Sequence, residues 1–209
     1  MEYQKESIQN FLQALSEKTP IPGGGGASAL IGAIGIALGS MVGSLTVGKP
    51  KYAAVDEEMQ RLIRESNALR KELLTLMDRD AEVFSPLART YAMPTQTEQQ
   101  RAEKTNAMEP ALRAAAEVPL SIMEKCCSAL DMISEFAKKG SRLAISDAGC
   151  AAAICTAALK SACLNVLINT KTMQDRKYAQ LLIDRANQIL ANYCPQADEI
   201  YENILKQLI

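Results

Sequence analysis

No histidine occurs anywhere in this 209-residue chain. That removes the commonest general base, the Ser-His and Cys-His nucleophile pairs and the commonest transition-metal ligand, leaving carboxylates, amides, lysine, tyrosine and backbone dipoles to do any chemistry. Among the carboxylates, Asp80 stands out by position. An apolar seam at Met59, Leu62, Leu69, Leu73, Leu76, Val83 and Leu87 repeats in steps of three and four, as a bundle helix requires. The step from Leu76 lands on Asp80, which places its carboxylate toward the interior while Asp78 and Arg79 point elsewhere. A buried carboxylate needs a partner. One reading is an ion pair or hydrogen bond to another helix. The other is a general acid or base, or a counter-charge for a cationic substrate.

Three further polar residues share one helix face: Asp147, Asn165 and Asn169 are separated by eighteen and four residues, five turns and about one. Asp147 stands near the helix start, where capping competes with an acid/base role. Asn165 and Asn169 lie in the apolar run Cys163-Leu164-Asn165-Val166-Leu167-Ile168-Asn169, so their amides serve either another helix or a ligand. The run Pro20-Ile21-Pro22-Gly23-Gly24-Gly25-Gly26-Ala27-Ser28 presents backbone without side chains. It fits either a tight turn followed by close packing or a ligand site at a helix start, whose first N–H groups are unpaired. It is neither a Walker loop, lacking Gly-Lys-Ser/Thr, nor a dinucleotide fingerprint, lacking a preceding strand. Lys49, Lys51 and Tyr52 are donors just beyond the helix that follows the glycines.

Helical periodicity positions these residues, and no alternating strand or hairpin dipeptide appears, so the chain reads as all-α. The spacing predicts helices over about 7–18, 26–47, 53–92, 110–138, 148–170 and 174–209, the fifth beginning after Ser146-Asp147. A polar loop with one loose turn is expected over 93–109. Ser7 is the predicted cap of the first helix, Thr19-Pro20 its stop, and Gly48-Lys49-Pro50 the end of the second. Pro86 and Pro119 are expected to bend the helices that contain them. The fourth helix has its own seam at Leu112, Ala116, Pro119, Met123, Cys126, Leu130 and Ile133, and the last carries Leu182, Ile189, Tyr193, Ile200 and Ile204.

A formal charge of −1 with no basic run interleaved with aromatics argues against a nucleic-acid partner. The six cysteines show no CxxC spacing and no secretory signal opens the sequence, which suggests reduced, buried thiols in a cytoplasmic protein. Residues 27–47 hold no charge and are about long enough to span a bilayer, with GxxxG spacing at Gly35, Gly39 and Gly43. Their glycine, alanine and serine content and the missing aromatic anchors favour instead a central helix approached closely by neighbours, a second copy of the chain included.

These residues together resemble the cyclodeaminase/cyclohydrolase family over nearly the whole chain, as one domain spanning 1–209. The resemblance rests on Pro20-Ile21-Pro22-Gly23-Gly24-Gly25, Val47-Gly48-Lys49-Pro50-Lys51-Tyr52, Asp78-Arg79-Asp80-Ala81-Glu82-Val83-Phe84, Val118-Pro119-Leu120, Ser146-Asp147 and Asn165-Val166-Leu167-Ile168-Asn169. Two positions depart from the family pattern: Gly26 stands where a serine is usual, and Met93-Pro94-Thr95 where Pro-Lys is common. The resemblance implies an up-and-down bundle of five to six helices, usually a homodimer, acting on tetrahydrofolate that carries a one-carbon unit. It implies no metal and no redox cofactor, and the charge and composition above add the expectation of no nucleic acid and no membrane. Either hydrolysis of 5,10-methenyltetrahydrofolate to the 10-formyl compound or cyclisation of 5-formiminotetrahydrofolate with loss of ammonia would follow, the first favoured for a stand-alone chain. A folate-binding helical protein without turnover is a third possibility. In that frame Asp80 faces the one-carbon centre or moves a proton, and Asp147 is the second acid/base candidate. Gly23, Gly24, Gly25, Gly26, Lys49 and Tyr52 approach the folate, and Asn165 and Asn169 position the pterin or the reacting water.

Overall fold

The computed structural model describes residues 2–209 as six α-helices joined by short links, with no strand among them. A 3₁₀ turn, Tyr3–Lys5, precedes α1 (Ile8–Ser16), α2 (Gly24–Ser44), α3 (Asp56–Tyr91), α4 (Glu98–Lys139), α5 (Ile145–Thr170) and α6 (Arg176–Leu208). The bundle is built around α2, which packs on α3, α4 and α5, while α6 closes the far side against α4 and α5. Both α3 and α5 run antiparallel to α2. Gly26 lies against Met77 and Gly43 against Ile63; Gly24 meets Asn165 and Gly35 meets Ala151.

Helix α2 reaches this central place because much of its packing surface is backbone. A Cβ on Gly35 would lie 2.5 Å from Cys155 Sγ, and one on Gly43 would lie 2.5 Å from a ring carbon of Phe136. The bulky partners supply the contact area that the glycines leave out. Both α2 and the segment Arg142–Thr170 are long and apolar enough to cross a membrane by length and composition. In this fold 61% and 44% of their apolar windows are covered by the bundle.

Most elements fall where periodicity puts them. Ser7 caps α1 by accepting the Asn10 N–H at 3.1 Å, and the fourth-helix seam is buried throughout. The α3 seam is buried too, apart from a half-buried Leu76. Helix α2 begins at Gly24, two residues earlier than expected, and ends at Ser44; Gly48, at φ 76°, turns the chain into the 3₁₀ segment Pro50–Val55.

The largest difference is in the predicted loop over 93–109, most of which is helix. Thr97 accepts the Gln100 N–H at 3.2 Å while the Gln100 side chain accepts the Thr97 N–H, a capping box that starts α4 at Glu98 and carries it through Pro110 and Pro119. Asp147 does not cap α5: that helix starts at Ile145, and Asp147 is a half-buried residue of its first turn. Of the thiols expected to be buried, Cys150 is exposed and Cys194 half-buried, and none of the six is paired.

Candidate active site

Two unusual features of the sequence turn out to be each other's partners. The first turn of α2 needs acceptors for its free N–H groups, and its cap residue, Gly23, has no side chain to supply one. The acceptor comes from α3: Asp80 Oδ2 takes the Gly26 N–H at 2.9 Å. The carboxylate sits where a side chain on Gly25 would be, since a Cβ there would fall 2.1 Å from Oδ1 and 2.6 Å from Oδ2. Asn165 occupies the equivalent space beside Gly24, its amide 3.0 Å from the missing Cβ. Its own NH₂ is held by the Ser161 carbonyl at 2.9 Å. Asp80, Gly24, Gly25, Gly26 and Asn165 thus form one cluster at the start of α2, built from three helices. The Gly24 and Gly25 N–H groups carry no hydrogen bond among the described residues.

Electrostatics give this cluster its chemical character. Burial pushes the Asp80 carboxyl up to about 6, and the Gly26 N–H, together with the positive end of α2, pulls the other way. A carboxyl poised there can both take and give a proton near neutral pH. Gly26 also leaves room for a side chain, because a Cβ would make only ordinary contacts, 3.5 Å to Met77 and 4.0 Å to Asp80 Oδ2.

The other candidates lie elsewhere in the chain. Asn169 is tied to α4, donating from Nδ2 to the Ala115 carbonyl at 2.7 Å. Lys49 and Tyr52 lie past the opposite end of α2, which at 21 residues is about 30 Å long. Lys49 Nζ donates to Ser141 Oγ at 3.3 Å, and the Tyr52 hydroxyl accepts the Arg142 N–H at 3.1 Å, an interaction that lowers its pKa. Asp147, in the first turn of α5, belongs to that same end. One protomer therefore divides the predicted residues between two ends of α2.

Asp78, predicted to point away from the bundle interior, is buried at 6% exposure. The Tyr3–Lys5 turn covers it: the Gln4 N–H donates to Oδ1 at 3.2 Å, and Oδ2 has no partner among the described residues. No sequence pattern announces so short a turn. Among the described residues no three of Cys, Asp and Glu gather as a metal ion would need. Open cavities of about 710 and 950 Å³ lie between α4 and α6, on residues such as Lys138, Asn203, Leu181 and Arg185, away from Asp80.

An all-helical bundle in which a half-buried carboxylate caps a glycine-rich helix start places this chain in a defined class. It belongs to the formiminotransferase-cyclodeaminase family, whose model matches residues 7–188. It is 37% identical over 199 residues to a methenyltetrahydrofolate cyclohydrolase of Methylorubrum extorquens, covering 95% of this chain and 96% of that one. It is 32% identical to the formimidoyltransferase-cyclodeaminase of Rattus norvegicus, covering 91% of this chain but only 35% of the rat protein. The solved structure of a formiminotetrahydrofolate cyclodeaminase from Thermotoga maritima superposes with a TM-score of 0.82 at 26% identity, covering 98% of this chain and all of the other.

Proposed function

We propose that this chain is a cytoplasmic methenyltetrahydrofolate cyclohydrolase, converting the 5,10-methenyl cation and water to the 10-formyl compound. The observation that carries this choice is the match with the Methylorubrum cyclohydrolase along nearly the full length of both chains. The site chemistry agrees. Ionised Asp80 takes a proton from the attacking water as its oxygen bonds to the methenyl carbon. The neutral tetrahedral adduct then breaks its bond to N5, N5 gaining a proton as the hydroxyl loses one to become the formyl carbonyl. The proton left on Asp80 goes to solvent. A carboxyl near 6 is suited to this cycle, and its negative form also complements the cationic substrate.

The 5-formimino reaction is the second reading, favoured by the cyclodeaminase among the solved structures. It passes through the same kind of carbon, bonded to both folate nitrogens, and asks Asp80 to move a proton to departing ammonia. A paired assay separates the two by following the near-ultraviolet absorbance of the methenyl group. Accelerated loss from the methenyl substrate supports the cyclohydrolase; accelerated appearance from the formimino substrate supports the cyclodeaminase; no acceleration in either leaves a binding protein.

We further propose a homodimer. The charge-free α2 exposes Ile34, Met41 and Leu45, with half-buried Leu38 between them, in steps of four, three and four along one face. A two-fold axis centred on this stripe, at about residue 39, would set two copies of α2 antiparallel with residue 24 facing about residue 54. The partner's Lys49 and the partner's Tyr52 would then approach the Asp80 cluster, uniting residues that one chain keeps about 30 Å apart.

A further inference from the structure

The parallel helices α4 and α6 are bridged at heptad intervals. Glu117 accepts the Tyr178 hydroxyl at 2.5 Å, Glu124 the Arg185 guanidinium at 3.2 Å and Asp131 the Tyr193 hydroxyl at 3.3 Å. The next residue in that series on α4 is Lys138, which has the opposite charge and turns back to Glu135 at 3.2 Å. The bridges therefore stop, and the cavity of about 710 Å³ opens at that level. Its walls are graded along α6. Asp131 also meets Gln196, so Ser134, three residues on, lies level with Glu199 and makes the first end polar. Ala137, Ile200 and Ile204 form an apolar middle, and Lys206, Gln207 and Arg142 close the other end. Seven helical residues set Glu199 and Lys206 about 10 Å apart along the axis.

The polar groups at both ends are unspent. Ser134 is 9% exposed and its hydroxyl bonds to nothing among the described residues, whereas Ser121 and Ser128 on the same helix bond back to the Glu117 and Glu124 carbonyls. The Arg142 N–H is fixed on the Tyr52 hydroxyl, but the Arg142 guanidinium meets only the neutral amide of Gln207. Neither Arg142, Lys206 nor Glu199 makes an ion pair among the described residues.

We infer that this cavity is a second ligand site, for a small molecule with a carboxylate at one end, an ammonium at the other and a methylene chain between them. The carboxylate displaces Gln207 from Arg142, whose fork-shaped guanidinium suits it better than an amide does, with Lys206 as the second cation. The chain lies over Ile200 and Ile204, and the ammonium donates to Glu199 and to the Ser134 hydroxyl. The volume falls in the range of small-molecule sites, roughly 300–1,000 Å³. Folate chemistry plays no part in it.

Calorimetric titration with 8-aminooctanoate, whose extended chain matches the separation of the two ends, tests the assignment; octanoate and octylamine each lack one end. The natural chain should bind 8-aminooctanoate saturably and each truncated compound about tenfold more weakly. Arg142→Gln should weaken 8-aminooctanoate about tenfold while leaving octylamine unchanged, and Glu199→Gln should weaken it as much while leaving octanoate unchanged. Ser134→Ala should cost about threefold. Thermal melts verify that each variant is folded. No saturable binding by the natural chain, equal affinity for all three compounds, or unaltered 8-aminooctanoate affinity in either charge variant would overturn the assignment.

Discussion

Replacing Gly25 by alanine tests the central contact of the site with the smallest possible change. The new Cβ would lie 2.1 Å from Asp80 Oδ1, 2.4 Å from Cγ and 2.6 Å from Oδ2, so no rotation about the last bond relieves it. To reach an ordinary 3.4 Å separation the nearer oxygen must retreat by about 1.3 Å, which carries Oδ2 away from the Gly26 N–H. Losing a hydrogen bond to a charged group costs about 1.5–3 kcal/mol. Alanine in a helix returns about 0.5–1 kcal/mol. The net loss of about 1–2 kcal/mol should lower the melting temperature by roughly 2–8 °C in a chain of this length. Displacing the proton-transfer group by more than an ångström should lower kcat by about a hundredfold. Without the Gly26 N–H, the Asp80 carboxyl should also move further up from about 6, shifting the pH–rate midpoint upward. Gly26→Ala is the control: its Cβ meets only ordinary contacts, so the protein should melt no lower than the natural chain and retain turnover. Thermal melts and methenyl-absorbance kinetics on the two variants decide the matter. Equal melting and equal kcat for Gly25→Ala, or equal damage from both substitutions, would refute the contact.

Acidity provides a second test. The Asp80 carboxyl is raised in the folded state relative to 3.8, so the folded protein holds more protons between about pH 4 and 6, and stability contributed by this group falls as pH rises through that window. The penalty is absent below the unfolded pKa and complete above about pH 6, amounting to about 3 kcal/mol. Asp80→Asn should lose that pH dependence, melt higher than the natural chain at pH 7 and lose turnover; a variant with full turnover removes Asp80 from the chemistry. Thr97→Ala should lose the α4 capping box at a cost of about 1 kcal/mol, read as a drop of about 2–4 °C in melting temperature with kinetics unchanged. The two asparagines should separate by readout. Asn165→Ala should lower kcat/KM with little change in melting, whereas Asn169→Ala should leave the Ala115 carbonyl unpaired and cost about 1–3 kcal/mol, visible in denaturant titration.

What the sequence made legible was periodicity and its exceptions. The seam through Leu69, Leu73 and Leu87 marks α3, and the same seam exposes Asp80 as a carboxylate in an apolar place. The bare backbone at Gly24 to Gly26 was equally visible. That the two meet was not, because the register of α2 against α3 depends on how Gly32 and Gly43 seat on Leu73 and Ile63, information spread over two helices. The α4 capping box was written in Thr97-Glu98-Gln99-Gln100, but the polar composition up to Glu109 masked it, because that arm has little core to face. Asp78 was misplaced for a different reason. Two residues from Asp80 is the far side of the helix, and only the Tyr3–Lys5 turn, too short to carry a pattern, makes that side an interior.

The glycines along α2 also leave the protein a built-in clock. Cys126 Sγ lies 2.8 Å from where a Gly32 side chain would begin, and Cys155 Sγ lies 2.5 Å from the corresponding point at Gly35. Both thiols are fully buried, and burial drives the Cys126 pKa well above 9 and that of Cys155 up to about 12. A thiol-modifying reagent cannot reach either sulfur while α2 is seated, and it finds no thiolate there to attack. Each labelling event therefore records one excursion in which the central helix has parted from α4 or α5. Cys150 at the surface labels at the rate of the reagent itself and serves as the internal standard. The ratio of the two rates is the opening equilibrium of the bundle, measured without denaturant, and its response to a folate would show whether a molecule bound at the first turn of α2 holds the whole helix in place.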